Sequence, residues 1–283
     1  MNKSTPSIRV RSLRALAAIT LAALSLTTGA NAVAADLVFA ISEGSSGGTD
    51  HGRVIAKYQG LAQVLGKAIG QKVNVVFVRE FKFLEDGLQK NIYDLAMARP
   101  SDYPARGMRD YGYQYVASAK PEGRCLIIVP KDAPIERLDQ IKGKRIALPS
   151  PAAYMTKFCT AMLRSEGIDV EKETVTRVRE QGAVPFFLNN RFADVGGVAS
   201  YSGVAKRLEQ DNMRILHASI PQPYFPMVAS SKLKPEQVKA MQGALAQMES
   251  TAEGRKVLAT IGIEGFDTGT EQRLKELLGW LGQ

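Results

Sequence analysis

The chain has 283 residues, 45% of them apolar and 23% charged, with 37 Lys+Arg against 28 Asp+Glu and a formal net charge of +9. Ordinary apolar content with 25 Gly and 13 Pro excludes a collagen-like or low-complexity chain, and two Cys exclude a disulfide scaffold. With only two His beside those two Cys, a Cys/His zinc cluster is excluded as well.

The first segment accounts for part of the charge. Residues 1–35 hold Lys3, Arg9, Arg11 and Arg14 and no acidic residue. An apolar run from Leu13 to Leu26 follows, then the small residues Ala30-Asn31-Ala32-Val33-Ala34-Ala35. A basic start, a short apolar centre and an Ala-x-Ala site predict a Sec-type signal peptide over 1–35. The run is too short to span a bilayer. Without its four cations the mature chain stands at +5, with no block of like charge. A nucleic-acid partner is not expected, and the mature protein is expected in the periplasm.

Along the mature chain, β-rich runs are predicted at Leu37–Ile41, Val73–Val78, Tyr93–Ala98, Tyr113–Ala117, Cys125–Val129, Arg145–Leu148, Thr174–Val178 and Ala193–Val198. The first intervening helix shows Val54, Ile55, Tyr58, Leu61, Ala62, Leu65 and Ile69 on one face. Further helices are read at 83–90, 135–141, 151–166, 182–190 and 200–210, and three more after Pro235. Strand and helix in alternation predict βαβ units with mostly parallel sheet, in two Rossmann-like α/β lobes. No internal repeat is evident. Val116–Gly123 and His217–Pro226 are candidate crossings, enclosing an inserted lobe over 119–217 within a first lobe of 36–118 plus 218–283. Ligands of open α/β sheets sit beyond the carboxyl ends of the strands, which two lobes turn into a cleft.

Three loops carry candidate chemistry. In Glu43-Gly44-Ser45-Ser46-Gly47-Gly48-Thr49-Asp50, Ser46 occupies the nucleophile position of G-x-S-x-G, with His51 or His217 as the available base. Thr49 and Asp50 intervene before the helix, however. The preferred reading is a ligand-lining loop using Ser45, Ser46, Gly47 and Thr49, with Asp50 or Thr49 as N-cap. Next, Arg99 ends a strand, where a guanidinium can grip an oxyanion bidentately, with Ser101 and Tyr103 beside it. The bland alternative is a clamp from Arg99 to Asp102 or Asp94. Third, Ser150 reads as N-cap and Pro151 as the first helical residue, leaving the amides of Ala152 and Ala153 to face an anion. Tyr154, Tyr201 and Tyr224 could close over a ligand, while Arg79 and Gln181 stand at the same edge. Cys125 and Cys159 are either disulfide-bonded, as an oxidising compartment permits, or buried thiols.

The order of segments resembles the phosphate/phosphite/phosphonate-binding (PhnD-like) family of ABC-importer receptors. The matching stretches are Lys57-Tyr58, Gly87–Tyr103, Ile135–Leu148, Ala193-Asp194-Val195-Gly196, Ile220–Pro226, Gly254–Leu258 and Ile263–Phe266. The resemblance implies a type II periplasmic-binding-protein fold, a Venus-flytrap in which two lobes close on a small anion without catalysis or cofactor. It also implies an ABC permease as partner, with a monomer expected. A sensing receptor on the same fold, or a Ser46-dependent esterase, are the alternatives. Three departures bear on the ligand. Ser150-Pro151-Ala152-Ala153 replaces a Ser/Thr-Ser-Gly run, Gln181-Gly182 stands where a Ser-His pair is usual, and Phe81 takes the place of a Tyr. These remove polar contacts a phosphonate would use, so a carboxylate or substituted phosphonate is also expected to fit.

Overall fold

The computed structural model describes residues 1–2, 35–44, 50–151 and 153–283. Residues 1–34 form a unit separate from 35–283. The predicted signal peptide, the loop residues Ser45, Ser46, Gly47 and Thr49, and Ala152 lie outside the described residues. No helix among the described residues is long and apolar enough to cross a membrane.

The unit of residues 35–283 begins with β1 (Leu37–Ser42), α1 (His51–Ile69), β2 (Val73–Phe77), α2 (Phe81–Gln89), β3 (Leu95–Ala98) and α3 (Asp102–Asp110). Then β4 (Gln114–Gly123) leads across Arg124 into β5 (Cys125–Pro130). There follow β6 (Arg145–Leu148), α4 (Tyr154–Ser165), β7 (Thr174–Arg177), α5 (Val184–Asn189), β8 (Val195–Ala199) and β9 (Met213–Ala218). The chain returns through β10 (Gln222–Ala229), α6 (Pro235–Ala246), α7 (Ala252–Ile261), β11 (Gly265–Asp267) and α8 (Glu271–Leu281).

Two sheets result, in the orders β11-β4-β10-β3-β1-β2 and β7-β6-β8-β5-β9. Both are mixed, not mostly parallel. β1 runs parallel to β2 and β3, and β6 parallel to β7 and β8. β10 is antiparallel to β3 and β4, and β5 antiparallel to β8 and β9. The reason is the crossing itself. A strand arriving from the other sheet enters at the carboxyl ends of the parallel trio, so it must run back against them.

The first helix forms as its pattern dictates. Val54, Tyr58, Leu61, Ala62 and Leu65 are buried on one face, and the Asp50 side chain accepts the Arg53 N–H at 3.1 Å. Gly70, at φ 67°, ends it in the left-handed conformation that a β-carbon would disfavour. Elsewhere the structure departs from expectation. Residues 200–210 form consecutive turns and no helix, although Ser202 Oγ accepts the Ala205 N–H as a cap would. Residues 135–141 yield only a short 3₁₀ turn at Leu138–Ile141. α3 carries Pro104 in its first turn, where a missing N–H costs nothing. Much of the proposed crossing His217–Pro226 is strand. β10 contains Pro223 and Pro226, accommodated at register shifts between Gln222, Tyr224 and Met227, with Phe225 at φ 47°.

An internal repeat is present after all. Val78-Arg79-Glu80 recurs as Val178-Arg179-Glu180, and the hydrogen bonds repeat with it. Val78 N–H donates to the Ile41 carbonyl (2.8 Å) and Val178 N–H to that of Leu148 (3.0 Å). Ile92 N–H reaches Gly87 and Phe192 N–H reaches Phe187, each just after a left-handed residue, Asn91 and Arg191. Asp94 accepts the amide of Val38, and Asp194 that of Arg145, so each carboxylate tethers the first strand of its own βαβαβ unit. Sequence alone hid this because the core positions agree only in class: Leu84 and Leu88 correspond to Val184 and Leu188.

Candidate functional site

The repeat brings equivalent loops from the two sheets face to face. Between them lies a narrow cleft lined by Glu43, Gly44, Phe81, Arg99, Pro100, Tyr154, Met155, Gln181 and Tyr201. Glu43 follows β1, Phe81 opens α2 after β2, and Arg99 and Pro100 follow β3. From the second sheet come Tyr154 and Met155 at the start of α4, Gln181 after β7, and Tyr201 after β8. Every contributor therefore sits beyond the carboxyl end of a parallel strand.

Arg99 is held at the end of β3 by its N–H bond to the Ser42 carbonyl (2.9 Å). Its guanidinium lies over the Phe225 ring at 5.3 Å and reaches Glu43 Oε1 at 3.7 Å. Its Nε is buried without a hydrogen-bond partner. The expected clamp to Asp102 or Asp94 is not made: Asp94 serves Val38, and Asp102 serves Lys157 and Arg106. Glu43 accepts from Lys57 Nζ and from Tyr58 Oη, each at 2.6 Å. Burial works against its charge, but Arg99, Lys57 and Tyr58 together outweigh burial and hold the carboxyl below the ordinary glutamate range. Burial also works against the charge on Arg99, and Tyr224, Tyr58 and Glu43 outweigh it, so the guanidinium stays protonated.

Gln181 is fixed by its Oε1, which accepts the Ala199 N–H at 2.7 Å, leaving the NH₂ end of its amide for the cleft. The Tyr154 hydroxyl is buried beside Ser101 without reaching hydrogen-bond geometry, while the Ser101 proton goes to the Pro223 carbonyl at 2.9 Å. Burial pushes the Tyr154 phenol well above its usual range, so it remains a neutral donor. Tyr201 stacks on Tyr224 with ring centroids 4.1 Å apart, joining the loop after β8 to strand β10 of the other sheet through an aromatic pair. The arrangement offers several buried donors beside apolar walls, a combination that suits an oxyanion attached to a small apolar body.

Other candidates lie elsewhere. Arg79 is exposed and outside the cleft lining. Tyr103 stands one layer back, stacked on Phe81 at 5.6 Å. Ser150 is exposed, and α4 starts at Tyr154, not at Pro151, with Ala153 as N-cap. The Ala153 N–H is consumed by the Ser150 carbonyl at 2.9 Å, so the first-turn amides are those of Tyr154 and Met155. Cys125 and Cys159 are bonded, with sulfurs 2.08 Å apart. His217 sits on β9 with Glu166 at 3.9 Å, and His51 packs edge-on to Phe77. No group of three metal-ligating side chains occurs among the described residues. Sequence reasoning missed Glu43, Lys57 and Met155 as parts of the site. The repeated Val-Arg-Glu was an available signal for Phe81 alone, which it places at the position equivalent to Gln181.

A second connection between the sheets runs through Asp102, which is fully buried at the start of α3. It binds Lys157 Nζ of α4 at 2.8 Å and Arg106 Nη1 at 3.1 Å. Breaking a buried pair strands its partners, although these two cations are partly solvated. Asp102→Asn is expected to lower stability by about 2 kcal/mol in urea unfolding. An unchanged midpoint would show that this contact between α3 and α4 contributes nothing.

The chain was compared with known proteins once this geometry was in hand. The family described as ABC transporter, phosphonate, periplasmic substrate-binding protein matches residues 48–274. No curated protein matched by sequence. Among solved structures, a protein of Xanthomonas citri bound to ATP superposes with a TM-score of 0.69 at 16% identity, covering 87% of this chain and 97% of that one. PhnD1 of Prochlorococcus marinus in complex with methylphosphonate gives 0.65 at 12% identity, over 86% and 96% of the two chains. A binding-protein component of a phosphonate ABC transporter of Pseudomonas aeruginosa gives 0.62 at 14%, over 87% and 85%. The two-sheet fold is that of type II periplasmic binding proteins.

Proposed function

The chain belongs to the family of periplasmic substrate-binding proteins of phosphonate ABC transporters, and on that premise we propose that it captures a small anion, phosphonate-like or carboxylate, and delivers it to an ABC permease. The observation that carries this reading is Arg99, a partly buried side chain at the cleft whose Nε is buried without a hydrogen-bond partner. A buried donor without an acceptor is costly, and a bound oxyanion is the natural acceptor. In this reading the chain crosses between the lobes at Arg124 and at Ser219–Pro221, which act as the hinge; the first crossing falls after the expected 118/119 boundary because β4 pairs with β10 as far as Gly123. α8 adds a further tie, since Leu274, Leu277, Leu278 and Leu281 share a core cluster with Phe158 and Cys159 of α4.

Residues 1–35 act as a Sec-type signal in this proposal, and the mature protein works in the periplasm as a monomer that neither catalyses a reaction nor binds nucleic acid. A ligand that binds only the folded state raises stability by RT ln(1 + [L]/Kd), about 2.7 kcal/mol at a hundredfold excess over Kd. For a chain of this size that is roughly 5–10 °C in Tm. Thermal unfolding of the mature protein against carboxylates, phosphonates and inorganic oxyanions should give such a rise for at least one class. No rise with any of them would remove the anion-binding reading.

A further inference from the structure

We infer that the cleft selects a small monoanion with an apolar body over a dianion of the same shape; the inference rests on the anion-binding reading above and sharpens it. Among the described lining residues only Glu43 and Arg99 are charged, and they oppose each other at 3.7 Å. Residues 45–49, outside the described structure, read Ser-Ser-Gly-Gly-Thr and carry no charged side chain. Lys57, hydrogen-bonded to Glu43 from α1, adds one positive charge behind the wall.

The next charges outward cancel. Asp102 and Glu85 face Lys157 and Arg106 in one cluster. Asp50 is occupied as the cap of α1. Arg79, Glu80, Arg179 and Glu180 are exposed, in two repeated pairs of opposite sign, and water screens them. Arg177 donates to the Pro149 carbonyl. The buried surroundings of the cleft thus sum to a single positive charge, which one negative charge neutralises.

A dianion brings a second charge into a confined space already holding the Glu43 carboxylate, which its neighbours keep ionised. Repulsion at such separations is strong where water is scarce. The remaining walls, Phe81, Pro100 and Met155 with the rings of Tyr154 and Tyr201, offer carbon surface where a fully hydrogen-bonded oxyanion would want donors.

Isothermal titration calorimetry on the mature protein tests this with two matched pairs, methanesulfonate against methylphosphonate and benzenesulfonate against phenylphosphonate. The pH is set above the second ionisation of the phosphonates, so that each pair differs chiefly in charge. Each sulfonate should bind at least about tenfold tighter than its phosphonate, and the phenyl compounds tighter than the methyl ones. Glu43→Gln should shift the ratio toward the phosphonates by about tenfold, as removal of one carboxylate requires. Phosphonates that bind as tightly as sulfonates would overturn the charge selection and leave the anion-binding reading standing. Methyl and phenyl members of equal affinity would overturn the apolar part. Binding of neither pair would overturn the inference, while the anion-binding reading would stand or fall separately with the carboxylates and inorganic oxyanions of the thermal panel.

Discussion

Arg99→Met is expected to yield a folded protein that has lost anion binding by about a hundredfold or more. A charge-assisted, multidentate contact from a guanidinium in a partly dry cleft contributes about 3 kcal/mol. Nothing else in the described lining replaces it, since the remaining donors are neutral: the Gln181 amide, the Tyr154 and Tyr201 hydroxyls and the first-turn amides of α4. The fold should tolerate the change. Glu43 keeps Lys57 and Tyr58 at 2.6 Å each, so the carboxylate is not stranded, and the methionine chain still covers Phe225. The cost to the ligand-free protein is therefore about 1 kcal/mol, from the 3.7 Å pair and the ring contact. Arg99→Lys retains the charge but not the planar fork, and should weaken binding by about tenfold. Calorimetric titration with whichever probe gives the largest thermal shift measures both. If the Met variant binds within a few-fold of the native chain, Arg99 is a clamp for Glu43 and the ligand is held by the neutral donors.

How much of this was legible beforehand depends on the range of the interaction. β6 is legible at its true bounds, Arg145–Leu148, because the apolar Ile146-Ala147-Leu148 between Gly143-Lys144-Arg145 and Pro149 allows little else. The face of α1 was legible for the same local reason. Arg99 could be singled out because an Arg at the end of a buried strand is unusual anywhere. Its partner could not: Glu43 lies 56 positions away, and only the pairing of β1 with β3 brings the two together. The choice between clamp and ligand contact was therefore left open by the sequence, and neither of the nearby aspartates proved to be involved.

The missed elements share another cause. β10 has two prolines and ends a stretch that reads as a hinge, yet its bulges let both prolines sit without breaking the ladder elsewhere. The register of a bulged strand is set by its neighbours β3 and β4, which no local pattern encodes. At the Ser150-Pro151 turn the opposite error arises. A good N-cap and N1 pair predicts a helix start, but the Ala153 N–H closes a turn onto Ser150 first, and α4 begins three residues later. That displacement makes Tyr154 and Met155 the first residues of the helix, and both line the cleft.

The Cys125–Cys159 bond is expected to supply about 4 kcal/mol of stability, the largest single contribution predicted here. It closes a loop of 34 residues, and the chain-entropy relation converts that length into the figure quoted. Both sulfurs are fully buried, one at the start of β5 and one within α4, so the bond fixes the helix to the sheet it covers. Replacing both cysteines by alanine removes the constraint without leaving a polar group behind. The midpoint in urea should fall and the slope should rise, because the denatured chain without the cross-link exposes more surface, with Tm lower by roughly 10 °C for a chain of this size. The same variant tests the coupling to the site, because α4 carries Tyr154 and Met155 into the cleft at its first turn. A looser α4 should weaken anion binding, chiefly through a faster off-rate, even though neither cysteine lines the cleft. A double-alanine protein within about 1 kcal/mol of the native chain would mean that Phe158, Trp280 and the leucines of α8 already hold α4 in place. The disulfide would then be dispensable, and the rigidity of the cleft would rest on packing alone.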